Sequence, residues 1–304
     1  MDEKNHEVKK GLHVYWYYWS VFAAACLFAI NYYSRNIRVD ALDVGLMIST
    51  VSFLFGFLIT IIFSMIINKM SSLKAALATE TGRLTSLYLL SEHLGEKFHK
   101  LIAERIDSYA IKTLRDYTSY EVGREEIYKI HRDLPSIELK NEIHKQVSNS
   151  FLYILGEMQP IREQLEYLTS RKVEWPLKFS TYVLGGILIS LLFLNRGDSF
   201  TNVIFIILST TIIFIFLIIE DYDNLRIGDY SYNISNSEQL FDLIGKERYY
   251  PSQTLNRAKL EEGKKYRIGF YDAKSGEEKI MFLTYSAGFK FKIHNLALKF
   301  KKKV

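Results

Sequence analysis

The sequence predicts a mainly α membrane protein with four transmembrane helices, a helical insert between spans 2 and 3, and a small C-terminal β appendage. Three observations predict it. The apolar residues are clumped into four nearly charge-free windows, 14–33, 44–67, 177–194 and 203–219. The stretch between the second and third windows repeats its apolar residues at steps of three and four. The final stretch changes to an alternation of apolar and polar residues, the period of a strand.

The first window is long enough to cross a bilayer, which takes about 20 apolar residues. Its leader, MDEKNHEVKK, mixes acids with bases, and the window is long and aromatic for a cleavable signal. Ala23-Ala24-Ala25-Cys26 faintly resembles a lipoprotein cleavage site, yet the apolar run continues through Leu27, Phe28 and Ile30, as a span would. Tyr15, Trp16, Tyr17, Tyr18 and Trp19 fit an interfacial aromatic belt. Cys26 is the lone cysteine, which excludes an intramolecular disulfide and a cysteine-based zinc site.

The second window is followed by no proline until Pro135, so its helix is expected to run on beyond the membrane. The segment 69–172 is then a soluble helical insert, with breaks at Gly95, Gly123 and Pro135 and a further helix from Ser136 towards Met158. Pro160 and a basic, polar run follow, leading to Glu174-Trp175-Pro176. Proline suits the first turn of a helix, so Pro176 marks the start of the third span. Lys178 lies just inside that span, where a long side chain can snorkel to the headgroups. Asn195-Arg196-Gly197-Asp198-Ser199 makes the short link to the fourth span. After Gly228, residues 265–286 alternate around Asp272–Gly276 as a β-hairpin does, and 288–294 could add a strand. The organisation expected is therefore 1–68, leader and spans 1–2; 69–172, insert; 173–228, spans 3–4; and 229–304, tail.

Basic residues near span ends set orientation. Lys4, Lys9, Lys10, Lys69, Lys74, Arg83, Arg162, Arg171, Lys172 and Arg226 lie on one side, against Arg35, Arg38 and Arg196 on the other. Both termini and the insert are thus expected in the cytoplasm, with the protein in the plasma (inner) membrane. Acids and bases in the insert are near balance, which argues against a nucleic-acid partner. The terminal KFKKKV fits a dilysine signal or, better, a solvated or lipid-headgroup-binding tail.

Catalytic signals are poor: the chain has no phosphate loop, nucleophile elbow, metalloprotease helix motif or dinucleotide fingerprint. Glu96-Lys97-Phe98-His99 is half of a di-iron motif, and its only counterpart is Glu3–His6 in the leader. No enzyme and no obligate cofactor is expected. Two features could carry function instead. Ser49, Ser52, Gly56, Thr60 and Ser64 fall on one stripe of span 2, which either packs against another helix or lines a wet path. Phe53 and Phe57 lie beside it and could form a constriction if several copies surrounded an axis. The second feature is IIEDYDNLRIG, where span 4 ends in Glu220, Asp221 and Asp223. Those carboxylates are either a polar helix stop paired with Arg226 or nearby lysines, or a weak, millimolar calcium site lacking a full ligand set.

Three stretches resemble the bestrophin-like family of multi-pass membrane proteins: FGFLITIIFSMIINKMSSLKAALATETGRLTSLYLL, with Glu80; EWPLKF, Glu174–Phe179; and the exit of span 4. The family tends to show Asp-Leu-Asp-Arg-Pro and then glycine at that exit. Here Asp221-Tyr222-Asp223-Asn224-Leu225, with Gly228, keeps both aspartates and the glycine but neither the arginine nor the proline. The resemblance covers about residues 44–245 and leaves the β appendage outside. It implies the layout of bestrophin chloride channels: a homo-oligomer in lipid, an anion pore around span 2 at Phe53, Gly56 and Phe57, and a cation-responsive gate at Glu220, Asp221 and Asp223. The alternative expectation is a non-conducting scaffold or sensor whose insert binds cytoplasmic protein partners.

Overall fold

The computed structural model describes residues 15–34, 44–115, 121–136, 141–224, 229–252, 255, 260–271 and 278–285. The polar leader, Arg35, Arg38, Arg226, the 288–294 stretch and KFKKKV lie outside them. Helices α1 (Tyr15–Tyr33), α2 (Val44–Glu92), α3 (Glu96–Arg115), α4 (Glu121–Asp133), α5 (Glu142–Ser170), α6 (Trp175–Leu194), α7 (Ser199–Asp223) and α8 (Asp229–Leu243) precede strands β1 (Tyr249–Pro251), β2 (Lys265–Tyr271) and β3 (Glu278–Thr284). The chain divides into two compact units, one of residues 1–71 with 171–228, the other of 72–170 with 229–304.

Among the described residues, the stretches Val44–Glu92, Glu142–Leu194 and Ser199–Asp223 are long and apolar enough to cross a membrane. Only 17%, 28% and 22% of their apolar windows are buried, far too little for helices that must stay dry in water. Lipid is the solvent that fits such surfaces. α1 forms a 19-residue helix over the first window but is not among these three, since tyrosine and tryptophan carry little hydropathy. The α6–α7 turn is closed by a capping box: Thr201 N–H donates to Asp198 Oδ1 at 2.7 Å, and Asp198 N–H donates to Thr201 Oγ1 at 3.1 Å. The side chains packed inside are Leu27, Phe55, Leu188, Leu192, Phe205 and Ile212, with Ile62, Ile66, Met70, Val173 and Ile219 in a second cluster.

α2 is one unbroken helix of 49 residues, as the lack of proline predicts. It ends before Gly95, whose φ of +112° only glycine adopts cheaply. Pro135 sits in a single 3₁₀ turn, Leu134–Ser136, after α4. α5, however, runs straight through Pro160, where the sequence pointed to an end. Its buried face, Phe151, Leu155, Met158, Ile161, Arg162, Leu165 and Leu168, keeps helical spacing across the proline.

The second unit joins the insert and the tail around one core, which the sequence treated as separate pieces. Leu87, Ile102, Ile106, Tyr109, Phe151 and Met158 pack with Phe241, Tyr249, Tyr250 and Ile268. The expected hairpin is present: β2 and β3 are antiparallel from Lys265↔Thr284 to Tyr271↔Glu278. β1, too short to read from sequence, adds in parallel to the other edge of β2. Arg267 on β2 donates to both carboxylate oxygens of Asp107 on α3, at 2.7 and 2.6 Å, and lies 5.0 Å over the Phe241 ring. That bidentate pair fastens the sheet to α3.

Candidate functional site

The stripe on α2 stands clear of the fold. Ser49, Gly56, Thr60 and Ser64 are exposed and Ser52 is half-buried; Phe53 and Phe57 are 74% and 58% exposed. The anchor that sets this orientation is Phe55, 6% exposed, whose ring meets that of Phe216 edge to face at 6.0 Å. Gly185 on α6 makes room for both rings, because a Cβ there would lie 2.2 Å from Phe216 Cζ and 3.0 Å from Phe55 Cε2. At roughly 100° per residue, Phe53 and Phe57 each point about 160° away from Phe55, one on either side, with Ser64 between them and Thr60, Ser49, Gly56 and Ser52 beside Phe53. Thr60 Oγ1 donates to the Gly56 carbonyl at 2.8 Å, and nothing lies within 4 Å of the Cβ position of Gly56.

The acidic exit of α7 is built around a lysine. Lys178 is 7% exposed and donates to Glu220 and, at 3.0 Å, to Asp223 Oδ2. The snorkelling expected of this side chain is therefore not what it does: the buried Asp223 carboxylate holds the ammonium inside the fold. Asp223 also accepts from the Val173 N–H at 2.7 Å, which fixes the segment leading into α6. Lys69 Nζ reaches the carbonyl of Arg171 at 2.5 Å, and Lys172 Nζ lies 3.3 Å from Asn224 Oδ1. Glu220 is half-exposed, whereas Asp221 and Asp223 are buried. The cluster thus ties the start of α6 to the end of α7. No group of three His, Cys, Asp or Glu among the described residues is placed to hold a metal ion.

A second polar cluster, in the other unit, was only partly visible in the sequence. Glu80, the glutamate in the first family-like stretch, is buried on α2; it accepts from the Tyr109 hydroxyl and pairs with Arg162 Nη1 at 3.2 Å. Arg162, counted above as a positive charge near span 3, is 1% exposed and belongs to this core. Burial, and then the Glu80 charge, push the Tyr109 hydroxyl well above the ordinary tyrosine range. Gly123 packs on the same ring: its φ is +88°, and a Cβ there would lie 2.7 Å from Tyr109 Cε2. His99 of the half di-iron motif contacts Ser91 Oγ at 2.8 Å and stacks on Tyr88, with Glu96 turned to Lys100. These are structural contacts.

A helical membrane protein, with its apolar helices in one unit and a helical insert that shares a core with the C-terminal sheet, is the class this fold defines. No protein-family model and no curated protein matches the chain. Solved structures do. Two mutant crystal structures of a bacterial bestrophin homologue from Klebsiella pneumoniae superpose with TM-scores of 0.56 and 0.52, at 10% and 12% identity. Each match covers 77% of this chain and 99% of the other. The chain has a bestrophin-like fold.

Proposed function

We propose that the chain is one subunit of a homo-oligomeric anion channel, of chloride type, with its pore around α2. The observation that carries this reading is the exposed face of α2, where Ser49, Gly56, Thr60 and Ser64 flank Phe53 and Phe57. Copies arranged about an axis would turn that face inward, with small hydroxyls to wet the path and the phenylalanines as a constriction. The bestrophin-like fold supports the same arrangement. In this reading α1 crosses the membrane as span 1, since Arg196 at the α6–α7 turn holds its end through Asn31 and Ser34. Both termini and the insert face the cytoplasm, and the membrane is the inner one.

The test is halide flux in liposomes together with the mass of the purified complex in detergent. Flux above that of empty vesicles from a ring of several copies is the expected result. A monomer or dimer without flux supports the alternative of a non-conducting scaffold or sensor, which would use exposed aromatics such as Tyr153 and Tyr167 on α5 to bind a cytoplasmic partner. Glu220, Asp221 and Asp223 are where a calcium ion would act; Lys178 already occupies the space between two of them, so binding would be millimolar or weaker.

A further inference from the structure

Between α1, α6 and α7 lies an open groove of about 270 Å³, lined by Leu27, Ile30, Ile189, Ser190, Phe193, Leu194 and Phe205. It is smaller than the roughly 300–1,000 Å³ of sites for drug-sized molecules. It has almost no polar lining and sits among helices that face hydrocarbon, so water is a poor occupant. A length of acyl chain fits it in both size and chemistry.

Beside this groove is a charge with no counter-ion among the described residues. Arg196 is 8% exposed, with its guanidinium 3.6 Å over the Phe193 ring and 5.5 Å from that of Phe205, two of the groove's own walls. It donates to the carbonyl of Phe193 at 2.7 Å, to Asn31 Oδ1 and Ser34 Oγ at 3.0 Å, and to the Ser34 carbonyl at 3.4 Å. Every one of these acceptors is neutral, and the longest is weak. An arginine carries five N–H donors, so the set is not exhausted. Burial lowers the basicity of this guanidinium. The nearest acid in sequence, Asp198, is engaged in capping α7. Buried charges in folded proteins are ordinarily paired.

We propose that this groove is a phospholipid site, with one acyl chain lying along Leu27, Ile189 and Phe205 and the lipid phosphate pairing with Arg196 at the membrane edge. The two halves of the ligand correspond to the two halves of the site: hydrocarbon for the apolar wall and a phosphodiester for the uncompensated cation. The assignment rests on α1 lying in the bilayer. The lone Cys26, exposed on α1, checks that separately, because a water-soluble maleimide should not reach it in liposomes until detergent is added.

The experiment is native mass spectrometry of the delipidated chain titrated with phosphatidylglycerol, and in parallel with a diacylglycerol of the same chains. Wild type should bind phosphatidylglycerol, with at least tenfold weaker binding for Arg196→Gln, which removes the charge, and for Ser190→Phe, which fills the groove. Diacylglycerol should bind weakly to all three proteins. Circular dichroism checks that both variants keep their helices, and Ser190→Phe alters an exposed position, so it carries the test if Arg196→Gln does not fold. Equal binding by all three proteins, or binding of diacylglycerol as tight as phosphatidylglycerol, overturns the assignment. So does a change in complex mass in Ser190→Phe with no change in lipid binding, which would give the groove to a second copy of the chain. A maleimide-reactive Cys26 would instead overturn the placement of α1.

Discussion

Replacing Lys178 by methionine tests whether the acidic exit is a structural clamp. The change keeps most of the aliphatic volume and removes only the ammonium that bridges Glu220 and Asp223. The two carboxylates are not equivalent: the Asp223 side chain is 1% exposed and that of Glu220 is 48%. Breaking a buried pair by deleting one partner costs about 3–5 kcal/mol, because the other charge stays behind without compensation. An exposed pair contributes about 0–1 kcal/mol. Lys178→Met and Asp223→Asn should therefore each destabilise by several kcal/mol, and Asp223→Asn also weakens the bond from the Val173 N–H. Glu220→Gln should cost no more than about 1 kcal/mol. Denaturant unfolding of the detergent-solubilised protein, followed by tryptophan fluorescence, gives the ranking. Trp175 at the start of α6 is a local reporter. If Glu220→Gln proves as damaging as Asp223→Asn, or if Lys178→Met costs under about 1 kcal/mol, the clamp is not what secures this corner.

Three further outcomes follow from the geometry. Gly185→Ala should destabilise the membrane unit by about 1–3 kcal/mol, since its Cβ would sit 2.2 Å from Phe216 Cζ; Gly186→Ala, with open space around it, is the control in the same melt. Tyr109 holds its proton longer in the folded chain than in the unfolded one, where tyrosine ionises near pH 10. Its contribution is thus complete below about pH 10 and lost as pH rises above that, so Tyr109→Phe should flatten the alkaline limb of the stability profile measured from pH 8 to 11. Under the pore reading, Phe53→Ala with Phe57→Ala should raise halide flux while leaving the mass of the complex unchanged; unchanged flux removes these residues from any constriction.

Much of the fold was legible because membrane helices announce themselves by composition. A long α2, the proline at the start of α6 and the hairpin of β2 and β3 each follow from one local rule. The misreadings have a common physical origin, which is that tertiary packing overrode a local signal. Pro160 usually stops a helix, but a continuous buried face held α5 together. β1 has three residues and exists only through its pairing with β2. Lys178 and Arg162 look like solvated positive charges near a span, yet each is buried against a carboxylate more than 40 positions away. Sequence spacing carries no trace of such pairs. Within the candidate site, helical period alone put the α2 residues on one stripe but not which way it faces, and the partner of the exit carboxylates left no trace in the sequence.

That partner bears directly on the calcium question. Three carboxylates in four positions suggest a hard-cation site, but the structure seats an ammonium between Glu220 and Asp223, so a divalent ion must compete with a tethered charge. Lys178→Met removes the competitor and leaves the Glu220 and Asp223 carboxylates without the ammonium that bridges them. Under the calcium reading, the variant should then depend on calcium more strongly than the native chain does. With a Kd of about 1 mM, ten millimolar calcium would restore about 1.4 kcal/mol of the stability lost, the linkage expected at tenfold excess over Kd. The measurement is the unfolding midpoint of both proteins in calcium and in potassium at matched ionic strength. A calcium shift confined to Lys178→Met identifies Lys178 as the built-in cation of this exit. Equal shifts in the two proteins would mean that calcium acts elsewhere and that the lysine is only a clamp.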